Sequence, residues 1–243
     1  MQPKRTPFSR IFWVANGIEI LERFVYYGIY FNFGIYLTKL GYSRDDLGII
    51  QTLVLLFSYT VPIFSGTFAD RYGFKKLLIV SYAIYLPSVL LLILTKSFSG
   101  IALTMLTLGL GAGIFKPLVA GTVRATTDKS NATLGFGVFY AMVNVGGSIG
   151  PIVAGKLRAI SWDYAFYASA GAVVLMLLIT IFFYKEPERA IEGITLKQKF
   201  RDLGVALSDL RFSLFLLLLG VFFWIPFWAF FNLCALYVDS NLD

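Results

Sequence analysis

The chain has 243 residues, of which 58% are hydrophobic and 14% charged, with a mean hydropathy of +0.74. Ordinary soluble domains are about a quarter charged, so a surface facing water on all sides is excluded and lipid is the expected solvent. Lys and Arg outnumber Asp and Glu by 21 to 14, but the excess sits beside hydrophobic runs and not on a separate basic domain, which fits membrane topology and argues against nucleic acid.

There is no histidine, so any proton chemistry falls to carboxylates. The single cysteine, Cys234, allows no intrachain disulfide. No nucleophile–base pair or metal-ligand cluster is visible, so no enzyme is expected. The first apolar run carries Glu19, Glu22 and Arg23 in its middle and does not read as a secretory signal.

Apolar stretches long enough to cross about 30 Å of hydrocarbon recur at residues 11–38, 47–69, 77–95, 98–123, 133–155, 164–184 and 212–238. Segments such as Leu86–Thr95 do not alternate, so helices are expected and a barrel is not. Lys4, Arg5, Arg10, Arg71, Lys75, Lys76, Arg124, Lys129, Lys185, Arg189, Lys197, Lys199, Arg201 and Arg211 gather on one side. Only Lys39, Arg44, Lys96, Lys156 and Arg158 fall on the other, which places the N-terminus in the cytoplasm of a multi-pass cell-membrane protein.

One connection is long. Residues 185–211 separate six helices from a seventh, and within them Phe200, Leu203, Leu207 and Leu210 recur at helical spacing among Lys197, Lys199, Arg201 and Arg211. This segment reads either as a helix lying on the inner membrane surface or as a solvated connector. The expected organisation is a six-helix half over 1–184, a cytoplasmic linker over 185–211, and the first helix of an incomplete second half over 212–243. That layout resembles a major facilitator transporter, whose six-helix halves each contain two inverted three-helix repeats.

Charges at mid-membrane cost several kcal/mol and default to function. Four occur: Glu19, Glu22, Arg23 and Lys116. At 100° per residue, Glu19, Glu22, Arg23, Tyr26, Tyr27 and Tyr30 share an arc of roughly 140° on the first helix, with Asn16 beside them. The alternative is a fixed ion pair that only joins helices. Lys116 is followed by Pro117, which interrupts the backbone ladder, and is preceded by Gly109, Gly111, Ala112 and Gly113, which allow close approach. Two acids and two bases balance, so protonating one carboxylate leaves a positive excess that an anionic solute group would neutralise. We expect Glu19 or Glu22 to pair with Lys116 while Arg23 holds the other. The inner loop Gly66–Lys76 holds Gly66, Asp70, Arg71 and Gly73. The fifth helix holds Asn144 and the bending Pro151.

Together these segments resemble the proton-coupled oligopeptide transporter family of the major facilitator superfamily. Glu19, Glu22, Arg23, Phe24, Tyr26 and Tyr27 match its first-helix E-x-x-E-R-F-x-Y-Y pattern. Lys116–Pro117 resembles its fourth-helix Lys-Pro, and Phe139, Tyr140, Asn144 and Gly146 its fifth-helix signature. Gly66, Asp70, Arg71 and Gly73 resemble the superfamily's general loop motif. The resemblance implies an all-α membrane fold and a symporter driven by the proton gradient, without other cofactor, importing small peptides or peptide-like solutes. It implies proton coupling at Glu19, Glu22, Arg23 and Lys116, and substrate contacts from Tyr26, Tyr27, Tyr59, Lys116 and Asn144. Gating or structural roles fall to Gly66, Asp70, Arg71, Gly73, Pro117 and Pro151. Two departures stand out: Leu118 replaces the usual Asn, and Trp228 occupies the place of an acid expected opposite Lys116. Drug export by proton exchange is a rival, loosely supported by Gly146, Gly150, Pro151 and Gly155. A non-transporting, truncated membrane partner protein is another. The expected partners are lipid, protons, the solute, and either a second half or a self-associated copy.

Overall fold

The computed structural model describes residues 6–188 and 196–241. The Arg189 expectation falls outside them, as do those for Lys4 and Arg5. Two units result, one ending at residue 191 and the other starting at residue 192. The described residues form helices and turns only.

The first unit holds α1 (Arg10–Lys39), α2 (Arg44–Tyr72), α3 (Phe74–Leu94), α4 (Phe98–Ala125), α5 (Ala132–Arg158) and α6 (Trp162–Phe182). At 1.5 Å per residue, even the 21-residue helices α3 and α6 are about 30 Å long, enough to cross a bilayer core. Several starts are written in the sequence as serine caps. Ser9 accepts from the Phe12 amide, Ser97 from that of Gly100, and Ser161 from that of Asp163. Ser43 and Asp46 form a reciprocal capping box. Gly73 joins α2 to α3 at φ +95°, a backbone setting that glycine tolerates without strain.

Five of these helices are long and apolar enough to cross a membrane, as is Leu210–Phe231 in the second unit. The chain is a multi-pass membrane protein. The first helix falls short of the same apolar threshold although it is 30 residues long, because Glu22, Arg23, Asn32 and its tyrosines dilute its aliphatic residues. Its surroundings compensate. It is packed by α5, α6 and α4, and most of its residues are buried, including Asn16, Glu19, Glu22 and Arg23.

The other pairings follow a repeat. The closest partner of α1 is α5 and the closest partner of α4 is α2, while α6 packs on α1 as α3 packs on α4. This is the relation expected of two three-helix repeats. Small residues make both close pairs. A Cβ on Gly146 would collide with the Ile20 carbonyl of α1, and one on Gly150 with the Phe24 carbonyl. In the matching pair, a Cβ on Gly113 would lie 2.7 Å from Val61 Cβ and 3.1 Å from the Phe57 carbonyl oxygen.

The second unit holds α7 (Leu196–Ser208), α8 (Leu210–Leu219), a π-helical turn (Gly220–Trp224) and α9 (Ile225–Asn241). The span expected as one plain helix at 212–238 thus starts earlier, ends later and contains a π turn. Some charges assigned to loops lie instead on terminal helical turns: Lys39 on α1, Arg71 on α2, Arg124 on α4, and Lys156 and Arg158 on α5. Basic groups there face the negative ends of the helix dipoles.

The α1–α5 contact yields a direct test. Gly146→Ala and Gly150→Ala must push α5 off backbone atoms, and each should cost about 1–3 kcal/mol. Nothing lies within 4 Å of a Cβ on Gly137 in the same helix, so Gly137→Ala should be neutral or stabilise by up to about 1 kcal/mol. Unfolding midpoints of the purified chain in detergent would rank the three variants.

Candidate functional site

The polar face of α1 folds inward onto its own helix. Arg23 Nε donates to Glu19 Oε1 at 2.8 Å, one turn back, and lies 2.9 Å from Glu22 Oε2. An Nε carries a single hydrogen, so Glu19 takes the hydrogen bond and Glu22 Oε2 takes the Coulombic contact without one. The other oxygen of Glu22 accepts from the Tyr85 hydroxyl of α3 at 3.2 Å. Glu19 Oε2 is buried without a hydrogen-bond donor. Tyr26 and Tyr27 flank the guanidinium, each ring centre 5.9 Å from Arg23 Cζ. Glu22 is 0% exposed and Glu19 1%. Two buried carboxylates therefore share one guanidinium, an arrangement that leaves one oxygen of each acid without a hydrogen-bond donor.

Lys116 makes no salt bridge to that triad, although the Tyr26 ring lies against both its ammonium and the Arg23 guanidinium. Its Nζ lies 3.5 Å from the Ser58 carbonyl oxygen, 4.7 Å from the Tyr59 ring centre and 5.3 Å from that of Tyr26. The expected ion pair between Lys116 and a glutamate is not formed: among the described residues, both glutamates go to Arg23 and the ammonium goes to a carbonyl and two aromatic faces. The physical reason lies in α2. Pro62 has no N–H, so the carbonyl four residues earlier, at Ser58, loses its helical donor and is open to the lysine. Pro117 does the same to Gly113 in α4, whose carbonyl accepts from Ser65 Oγ at 3.4 Å. A cation over an aromatic face in a desolvated site gains about 2 kcal/mol, which helps hold Lys116 without a carboxylate.

The expected substrate residues divide. Tyr26 is only 2% exposed and stacks on Tyr30 with ring centres 5.6 Å apart, so it backs the lysine and does not line an open wall. Tyr59 is 55% exposed, Tyr27 is half-buried, and Asn144 is exposed and donates to the Tyr140 carbonyl of its own helix at 2.9 Å. Lys116, Tyr26 and Tyr59 are brought together, as are Glu19, Glu22, Arg23 and Tyr27. Among the described residues, Asn144 bonds to neither group. Pro151 lies inside α5 and Pro117 inside α4.

Three participants went unread in the sequence. Tyr85 is one, and nothing local marks it, since its reach to Glu22 depends on the packing of α3. Pro62 is the second, and its position four residues after Ser58 was legible. The third is Glu186, just beyond α6. Gly73 offers no side chain to cap α3, and Glu186 does so instead: Oε1 accepts from the Phe74 amide at 2.7 Å and Oε2 from the Lys75 amide at 2.9 Å. Lys75 Nζ donates to the Ile181 carbonyl at 2.9 Å. The loop motif is thereby tied to the end of α6, next to Asp70 and Arg71, whose guanidinium lies 5.4 Å from the Tyr72 ring centre.

Comparison with known proteins agrees on architecture. The sequence profile of the Major Facilitator Superfamily matches residues 17–242. Quinolone resistance protein NorA of Staphylococcus aureus is 25% identical over 156 residues, covering 64% of this chain and 40% of that protein. Multidrug resistance protein 1 of Bacillus subtilis is 24% identical over 204 residues, covering 84% and 50%. The chain thus spans half or less of the length of these curated relatives. Among solved structures, one from a study of substrate recognition in proton-dependent oligopeptide transporters superposes with a TM-score of 0.67 at 21% identity, covering 81% of this chain and 46% of that one. Tetrameric PepTSo2 gives 0.67 at 21%, covering 84% and 48%. At such identity the likeness shows the fold.

The shared guanidinium makes an asymmetric prediction. Arg23→Met leaves two buried carboxylates without a cation and should cost about 3–5 kcal/mol. Adding Glu19→Gln and Glu22→Gln removes the stranded charges and should restore most of that loss. Thermal unfolding of the single and triple variants, side by side in the same detergent, measures the difference.

Proposed function

The chain belongs to the major facilitator superfamily, and from that premise we propose that it forms the N-terminal half of a proton-coupled symporter for small peptides or peptide-like solutes. The observation that carries the proposal is the division of the buried charges. Glu19, Glu22 and Arg23 form one group, while Lys116 makes no salt bridge among the described residues and rests against a carbonyl and two rings. An ammonium without a bound carboxylate is a receptor for one. A carboxylate-bearing solute at Lys116 adds negative charge beside two glutamates that share a single arginine. Taking up a proton on either glutamate relieves that excess, so solute and proton enter together. Tyr59 lies open at the lysine, and Asn144 is exposed on α5. Tyr27 flanks the guanidinium. These supply the polar contacts expected for a peptide. Asp70, Arg71 and the Glu186 cap supply the inner latch.

In this reading the N-terminus is cytoplasmic, and the opposite wall of the site comes from a second six-helix half. The 243-residue chain alone should then not transport. Export of drug-like solutes by proton exchange is the second reading. It is favoured by the names of the curated relatives and by Gly146 and Gly150, which seat α5 on α1, beside Pro151 and Gly155.

Proteoliposomes separate the readings. With a second half present and an inward proton gradient, labelled dipeptide should accumulate inside. Glu19→Gln or Glu22→Gln, whichever carries the proton, should abolish accumulation and leave dipeptide exchange down its own gradient intact. Saturable uptake by the 243-residue chain alone would contradict the need for a second half. If both variants still concentrate dipeptide, the glutamates are structural. Proton-driven movement of a fluoroquinolone, with no response to dipeptide, would favour the export reading.

A further inference from the structure

The linker helix α7 has no part in the site just described. At 100° per residue, Leu196, Phe200, Leu203 and Leu207 fall within an arc of about 60°. By register, Lys197 and Arg201 lie on one side of this stripe and Lys199 on the other. Asp202, the one acid in the helix, lies away from the stripe, 3.7 Å from Arg201. Leu203 and Leu207 are exposed.

The placement of α7 relative to the bilayer follows from what comes next. Leu210–Phe231 is long and apolar enough to enter a membrane, and a single residue, Asp209, separates it from α7. Asp209 is extended (φ −75°, ψ 108°), and its carboxylate caps α8 by accepting from the amides of Arg211 and Phe212 at 2.9 and 3.2 Å. Ser213 Oγ donates to the Leu207 carbonyl at 2.7 Å and braces the bend. An extended residue between two helices breaks their common axis, so α7 does not continue the direction in which α8 enters the membrane. A helix about 20 Å long, turned aside at the membrane entrance with an apolar stripe flanked by basic residues, meets the lipid interface first.

We propose that α7 is an interfacial helix that binds the anionic headgroups of the leaflet from which α8 enters. Leu203 and Leu207 lie at the level of the acyl boundary, and Lys197 and Arg201 reach phosphate-bearing headgroups beside them. Val205, on the opposite side of the helix, faces water. The linker is thereby pinned to the bilayer, and its hold depends on lipid charge.

Depth measurement by electron paramagnetic resonance on the whole chain tests this. Spin labels go on Leu203→Cys or Val205→Cys in a Cys234→Ala background, reconstituted either in phosphatidylcholine vesicles or in vesicles with roughly one phosphatidylglycerol in three. In anionic vesicles the label at 203 should meet oxygen and be shielded from a nickel chelate, and the label at 205 should behave oppositely. Replacing Lys197, Lys199 and Arg201 with Gln should lower the bound-to-lifted ratio by roughly a hundredfold, at about fivefold per charge. Raising the ionic strength should lift the unsubstituted helix in the same direction, which serves as a check that needs no substitution. Three results would overturn the proposal. The label at 203 could be reached by nickel as readily as that at 205. It could be shielded from oxygen and nickel alike, as under a protein cover. Or its depth could be the same in both vesicles and indifferent to salt and to the three substitutions.

Discussion

One guanidinium serving two buried carboxylates is the constraint on which the first unit turns. Arg23 lies 2.8 Å from Glu19 and 2.9 Å from Glu22, on a helix too polar to pass for a lipid-facing span. Charges in hydrocarbon are expensive, so α1 can hold them only where other helices replace lipid around it. The glycines of α5 meet that need by bringing backbone against backbone at Ile20 and Phe24, and α4 and α6 close further sides. Among the helices of the first unit, the one that carries the buried charges is the most enclosed, while α2 and α5 leave much of their surface open.

The second charged element depends on backbone chemistry more than on ion pairing. Prolines in α2 and α4 each remove a donor and free a carbonyl four residues back. At Ser58 the freed oxygen receives Lys116, and at Gly113 it receives Ser65. A lysine held this way forms no salt bridge to a carboxylate among the described residues. In the proposed function, Lys116 is the acceptor for a solute anion and the arginine-bound pair supplies the acids for a proton.

Much of this was legible in the sequence. Seven apolar runs, the charged arc of the first helix and the lysine of the fourth are all local patterns, and the helices stand close to where the apolar runs put them. The pairing of charges was not legible. Glu19, Glu22 and Arg23 share one helix, so their mutual reach is local, but whether Lys116 joins them depends on how α4 is rotated against α1 and on the oxygen that Pro62 exposes. Tyr85 and Glu186 are distant in sequence from what they contact, at Glu22 and at the start of α3. No spacing rule connects them. The linker's amphipathic period was visible, but the bend at Asp209 needed coordinates.

The most direct measurement is the number of protons exchanged when a small carboxylate-bearing peptide binds the two-half protein, read by calorimetry in buffers of different ionisation heat. A cluster in which Lys116 receives the solute anion and Glu19 or Glu22 takes the compensating proton predicts uptake of about one proton per ligand bound, and none when both glutamates are replaced by glutamine. Peptide binding without linked proton uptake, or the same uptake after both replacements, would contradict it.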